Sequence, residues 1–214
     1  LFELGILHQA DLILREKAVS AFQGFAAQSG ARLFFNLDPR VLDSPDYRPE
    51  RTRDLLDRYG METASVCFEL SETHDLRPDT IPQRMLAAYR RQGYHLALDD
   101  FGTGYSGLKL LSDQQPDIVK IDRHFIAGID SDSKKRMMIS SVAQMAKVLG
   151  ITVVAEGVET EREYRVCREI GCDLVQGYIV ARPTIDPPPS TAAYETVVSI
   201  IRNDRRRPAG DRHL

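Results

Sequence analysis

The sequence predicts an α/β protein folded as a (β/α)8, TIM-like barrel, and three observations carry that reading. Short β-rich runs alternate with helical patterns along the 214 residues, apolar and polar side chains alternate within the runs, and the polar ones gather toward the runs' C-terminal ends. In chain order, a helix near 10–28 precedes LFFNLD (33–38), and a helix near 49–60 precedes SVCFELSE (65–72). A helix near 78–92, stopped by Gly93, leads to HLALDDF (95–101), and one near 105–113 leads to DIVKID (117–122). The helix near 133–149 stops at Gly150 before ITVVAEG (151–157). The next, near 160–170, opens with Thr160 and Glu163 in capping-box register and stops at Gly171 before LVQGYIV (174–180). A last helical pattern lies near 190–203.

Such alternation builds parallel strands, in an open doubly wound sheet or a closed barrel, and parity within the runs chooses between them. Val66, Phe68 and Leu70 alternate with Cys67, Glu69 and Ser71, Leu33, Phe35 and Leu37 with Asn36 and Asp38, and Val119 and Ile121 with Ile118, Lys120 and Asp122. An open sheet covered on both faces shows apolar residues on both parities. Polar groups on one parity point to a barrel lumen.

Composition narrows the function. The chain carries 43% hydrophobic and 28% charged residues, which describes a folded globular chain and excludes collagen, coiled coil and wholesale disorder. With 28 Lys and Arg against 31 Asp and Glu, the formal charge of -3 supplies no broad basic face, so no nucleic-acid partner is expected. Arg205, Arg206 and Arg207 read as a solvated end, and the opening stretch, interrupted by Glu3, Asp11 and Arg15, is neither a signal peptide nor a membrane segment. Cys67, Cys167 and Cys172 form no CxxC pair and read as thiols of a reducing, cytoplasmic compartment.

The strand ends carry Glu69, Asp99, Asp100, Asp122, Glu156 and Gln176. One carboxylate at a strand end is most often a helix cap or loop anchor, but polar groups at the ends of five strands together, four of them carboxylate-bearing, are not explained by capping. Like charges converging on one lumen imply a cation between them. The all-oxygen set Asn36, Glu69, Asp99, Asp100, Asp122 and Glu156 suits Mg²⁺ or Mn²⁺. His8, His74, His95, His124 and His213 lack zinc-ligand spacing, and His74-Asp75 reads as a surface loop. Lys120, two residues before Asp122, enters the same lumen either as a structural counter-ion or to orient or deprotonate the attacking water. FGTGYSG (101–107) lacks the ending of a phosphate loop and reads as a mobile loop beside the site.

The runs FELSE, LALDDFGTGYSGLKLL, DIVKIDRHFI, VVAEGVET and CDLVQGY resemble the motifs of EAL domains, bacterial phosphodiesterases that open cyclic di-GMP to linear pGpG. The resemblance spans roughly residues 1–186, leaving 187–214 as a C-terminal helix and tail or linker. It implies that Asn36, Glu69, Asp99, Asp100, Asp122 and Glu156 are metal ligands or near ligands for two Mg²⁺ or Mn²⁺ ions, with Ca²⁺ inhibitory. It makes Lys120, with Glu156, the catalytic pair, and makes Gln176, Glu159 and Asp100 groups that contact the substrate or support the ligands. Glu72 resembles the family's anchor for the loop after Asp100.

The family's Glu-Ala-Leu motif, on its first barrel strand, does not occur in this chain. By family spacing that strand is expected about twenty residues upstream of Leu1, so residues 1–186 read as an N-terminally incomplete barrel. The resemblance implies that the motif's Glu is a metal ligand and that its Arg holds the substrate. The resemblance further implies a homodimer formed through the barrel and flanking sensory or cyclase domains. The alternative is a catalytically silent cyclic di-GMP receptor or partner-binding regulatory domain, whose sign would be the loss of one of these ligands.

Overall fold

The computed structural model describes residues 6–29, 31–38, 40–41, 44–71, 81–104 and 107–184. Glu72, His74, the last helical pattern and the tail from 187 lie outside them. Packing divides the chain into two compact units, Leu1–Val119 and Lys120–Leu214.

In the first unit the order is α1 (Leu7–Ser29), β1 (Leu33–Asn36), α2 (Glu50–Arg58), β2 (Val66–Ser71), α3 (Ile81–Arg91), β3 (His95–Phe101), α4 (Gly107–Gln114) and the start of β4 (Ile118–Ile121). β1 pairs with β2 and β2 with β3, all parallel, as the βα alternation predicts. The register sets Phe35 beside Phe68 and Phe68 beside Leu96. Phe68 meets Tyr89 at 4.2 Å and Tyr94 at 5.2 Å between ring centroids, so this parity of the sheet packs on an aromatic layer supplied by α3 and its exit.

Arg15 of α1 is buried against that layer at 2% exposure. Its Nη1 donates to Thr52 Oγ1 at 2.8 Å and to Tyr89 Oη at 3.1 Å, its Nε lies 2.7 Å from Asp11 Oδ2, and its guanidinium stands 4.9 Å over the Phe68 ring. The Tyr89 hydroxyl also meets that of Tyr47. Three helices and the sheet are therefore tied to one cation.

β4 enters with an aspartate that locks its position. The Asp117 backbone amide donates to Leu96 O at 2.9 Å while its Oδ2 accepts from Leu96 N at 2.8 Å, so both polar groups of Leu96 are held by one residue.

The second unit takes up the end of β4 and continues through α5 (Arg123–Ile126), α6 (Ser133–Leu149), β5 (Thr152–Ala155), α7 (Glu161–Glu169) and β6 (Leu174–Val175). β5 and β6 are parallel. Asp173 repeats the device of Asp117, with its amide on Val153 O at 2.9 Å and its Oδ2 accepting from Val153 N at 2.8 Å. Gly93, Gly150 and Gly171 end their helices with φ of 88°, 71° and 98°, the left-handed conformation that stops a helix at no steric cost.

The capping box at α7 is present in full: Glu163 N donates to Thr160 Oγ1, and the Glu163 carboxylate accepts from Thr160 N at 3.0 Å. That carboxylate also accepts from Gly128 N at 2.9 Å and Glu159 N at 3.1 Å. Burial pushes its pKa up, but the amides of Gly128, Glu159 and Thr160 outweigh burial and hold it below the usual carboxylate value. A carboxyl depressed on folding stabilises the fold above its unfolded pKa of about 4.3, and that contribution disappears as pH falls through the folded value. Glu163→Gln is therefore expected to cost about 1 kcal/mol at pH 7, with the gap from wild type closing below about pH 4. Thermal melts of both proteins from pH 7 to pH 3 check it; a constant gap would rule out the charge as the source.

Candidate active site

Within the first unit, parity gathers polar groups on the face opposite the aromatic layer. Asn36 lies beside Glu69, and Ser71 beside Asp99, in the strand register. Side-by-side residues of parallel strands share a face, and so do residues two apart, so Asn36, Glu69, Ser71 and Asp99 all project from the side away from Phe68. Glu69 is 6% exposed, Asn36 is exposed, and Asp99 and Asp100 are half-buried.

Strict alternation would send Asp100 to the helix-covered face. The backbone prevents this: Asp100 has φ of 54°, a left-handed conformation that costs a non-glycine residue about 1 kcal/mol or more. The pleat is broken there, and the chain turns at once, with Thr103 N and Oγ1 both donating to Asp100 O at 3.2 and 2.9 Å. Asp99 and Asp100 are thus released from opposite-face geometry. Of FGTGYSG, Tyr105 and Ser106 lie outside the described residues.

Within the second unit the centre is an ion pair. Lys120 Nζ lies 2.6 Å from Glu156 Oε1, with side-chain exposures of 6% and 15%. β4 carries the lysine, and the residue following β5 supplies the glutamate, whose amide donates to Ile121 O at 3.1 Å. Asp122 follows β4 and caps α5, its Oδ1 accepting from His124 N at 2.8 Å. Glu159 is paired with Arg123 at 2.8 Å, both partly in solvent, and Gln176 is exposed at the end of β6.

Two glycines make this half tight. A methyl group on Gly177 would lie 2.2 Å from Val158 O, and one on Gly157 would lie 2.4 Å from Arg123 Cγ. That close approach lets Gln176 N donate to Ala155 O at 2.8 Å, Val158 N to Gln176 O at 3.0 Å and Ile179 N to Val158 O at 3.1 Å. The segments carrying Glu156, Glu159 and Gln176 are knitted together by their own backbones.

The structure thus places Asn36, Glu69, Asp99 and Asp100 on one sheet face and its exit in one unit, and brings Lys120 and Glu156 into contact in the other. Glu72 lies outside the described residues. Ser71, which shares a face with Glu69 and Asp99, and Arg123, which holds Glu159, were not singled out by sequence. Ser71 was readable from parity alone, whereas nothing in the sequence pairs 123 with 159. The donors of each unit are carboxylate or amide oxygens, which fits a hard divalent cation and not zinc.

The family model of the EAL domain matches residues 1–183. Among curated proteins, cyclic di-GMP phosphodiesterase RocR of Pseudomonas aeruginosa is 36% identical over 151 residues, which cover 71% of this chain and 38% of RocR. Among solved structures, the calcium and cyclic di-GMP complex of Klebsiella pneumoniae BlrP1 superposes with a TM-score of 0.77 at 34% identity, covering 83% of this chain and 45% of BlrP1. BlrP1 is also known with manganese and cyclic di-GMP, matching at a TM-score of 0.74. The EAL domain of Mycobacterium smegmatis DcpA matches at a TM-score of 0.71 and 29% identity, covering 87% of this chain and 82% of that domain. The chain spans less than half the length of RocR and BlrP1.

Proposed function

The chain belongs to the EAL domain family, a family of hydrolases with a TIM-like barrel, and from that premise we propose that it hydrolyses cyclic di-GMP to linear pGpG in bacterial signalling. The observation that carries the reading is the Lys120–Glu156 pair, a charge pair kept at 2.6 Å where apolar residues would fill the space more stably. Glu69, nearly buried, and the half-buried Asp99 and Asp100 supply the negative charge that such a site needs.

Asn36, Glu69, Asp99, Asp100, Asp122 and Glu156 are the residues that would hold two Mg²⁺ or Mn²⁺ ions. Asp122, with Oδ1 on its helix cap, offers Oδ2. Bound there, the cations supply Lewis-acid stabilisation of charge developing on the phosphodiester oxygens. The protein's part is to place its carboxylates in advance, the left-handed Asp100 being one device for it. Lys120, with its ammonium on Glu156, orients the attacking water, or deprotonates it once that ammonium proton has passed to the Glu156 carboxylate. Gln176, Glu159 and Asp100 serve the substrate and the ligands, and Glu72 anchors the loop after Asp100.

Among the described residues no helix is long and apolar enough to cross a membrane. The proposal includes a cytoplasmic setting, a homodimer formed through the barrel, and flanking sensory or cyclase domains in the protein that carries this one.

The test is chromatographic. Purified protein with cyclic di-GMP and Mg²⁺ or Mn²⁺ is expected to yield pGpG, chelator to abolish the product, and Ca²⁺ to inhibit, since Ca²⁺ prefers six to eight oxygens at longer distances. Turnover undiminished in excess chelator would refute the metal-dependent mechanism. Tight binding of cyclic di-GMP without turnover in either metal would assign the receptor reading instead.

A further inference from the structure

The junction of α7 and β6 brings two thiols together. Gly171 N donates to Arg168 O at 3.2 Å and Cys172 N to Cys167 O at 2.9 Å, the bond pair of a Schellman helix end, with Gly171 at φ 98°. In that motif the second residue past the cap folds back on the third residue before it, and an apolar contact normally fills the space. Both positions here are cysteine. Cys167 is 0% and Cys172 8% exposed, and the thiols are in hydrogen-bonding contact, with Cys167 donating to Cys172. That donation, with burial, pushes the Cys167 thiol far up, while accepting it pulls the Cys172 thiol down against its burial. The pair is asymmetric in access, Cys172 being the thiol that solvent reaches.

We propose that Cys167 and Cys172 are a reversible disulfide-forming pair, oxidised by hydrogen peroxide, that staples the end of α7 to the entry of β6. Two side chains held face to face by backbone bonds at the end of one helix have the short separation a disulfide spans. The Cys172 thiolate attacks the peroxide, the O–O bond breaks, and Cys172 becomes a sulfenic acid with release of water. The Cys167 sulfur then attacks the Cys172 sulfur, the S–O bond breaks, and the hydroxyl leaves as water with the thiol proton. Two thiols are oxidised, one peroxide is reduced, and two waters form. The crosslink closes beside Asp173, whose clamp on Val153 sets the start of β6.

The test uses the full 214-residue chain and needs no turnover, so its outcome is independent of the phosphodiesterase reading. After hydrogen peroxide treatment the protein is unfolded, alkylated and cleaved with trypsin, which cuts after Arg168 between the two cysteines. The expected result is one pair of tryptic peptides joined through Cys167 and Cys172, separated by dithiothreitol, with Cys67 recovered alkylated. In Cys167→Ser, a sulfenic acid trapped by dimedone is expected at Cys172. Recovery of all three cysteines alkylated would overturn the proposal. So would Cys172 as sulfinic acid beside an intact Cys167 thiol, or Cys67 oxidised as fast as Cys172.

Discussion

Lys120→Met is expected to lower kcat for cyclic di-GMP hydrolysis by roughly 10²–10³-fold while leaving KM within a few-fold of wild type. The ammonium is 2.6 Å from Glu156 and the residue is buried at 5% exposure, so no bulk water substitutes for it. Methionine keeps the aliphatic stem and its packing and removes only the charge and the donor. A group that orients or deprotonates the attacking water acts in the transition state, so its loss falls on kcat; a group that binds substrate in the ground state loses KM instead. Steady-state kinetics at saturating Mn²⁺, with a thermal melt of the variant alongside, separates chemistry from folding. A folded Lys120→Met enzyme with near wild-type kcat would reduce the lysine to a counter-ion of the carboxylates.

Arg15→Met is expected to be the most destabilising single change far from the chemistry, at about 3–5 kcal/mol, because removing one member of a buried ionic cluster leaves the other without compensation. Asp11, Thr52 and Tyr89 each lose a bond to the guanidinium, and Phe68 loses the cation above its ring. For a domain of this size such a loss corresponds to a fall of roughly 10 °C in melting temperature. Burial opposes the charge on Arg15, whereas Tyr89 and Asp11 favour it and hold its pKa above the ordinary arginine value. The penalty therefore belongs to the pair. Arg15→Met with Asp11→Leu is expected to recover most of the stability, since the stranded carboxylate goes too. Urea melts of the two single variants and the double variant close that cycle, and additive losses would show that the two side chains act independently.

The strands and their faces were legible because a period of two is a direct imprint of the pleat: Val66, Phe68 and Leu70 against Glu69 and Ser71 is a pattern that only a strand with one apolar and one polar face satisfies. Helix stops at Gly93, Gly150 and Gly171, and the cap at Thr160 and Glu163, were legible because each is a local device with a local sequence. Arg15 was not. In the run LILRE it registered only as a charge interrupting the opening stretch, yet Ile13 and Leu14 are 56% and 64% exposed and Arg15 is buried. Its partners Thr52 and Tyr89 stand 37 and 74 residues away, beyond any local pattern. Four-residue α5 is too short for a helical period, and its one signal was the cap at Asp122, a residue the metal reading had already engaged. Asp100 shows the converse: its place in the polar set was legible, but the left-handed turn that frees it from strand alternation was not, because nothing in DDF announces it.

Asp117 and Asp173, described above as locks on the strands before them, also act as rulers. Each sits three residues ahead of a polar group at the far end of its strand, Lys120 in one case and Gln176 in the other. A strand advances about 3.3 Å per residue and turns over at every step, so an anchor three positions back meters both the height and the facing of that group. A slip by one residue would exchange Lys120 for Val119 or Ile121. The end of each strand away from these polar groups thereby sets the height at which they are presented, for Lys120 and for Gln176 alike.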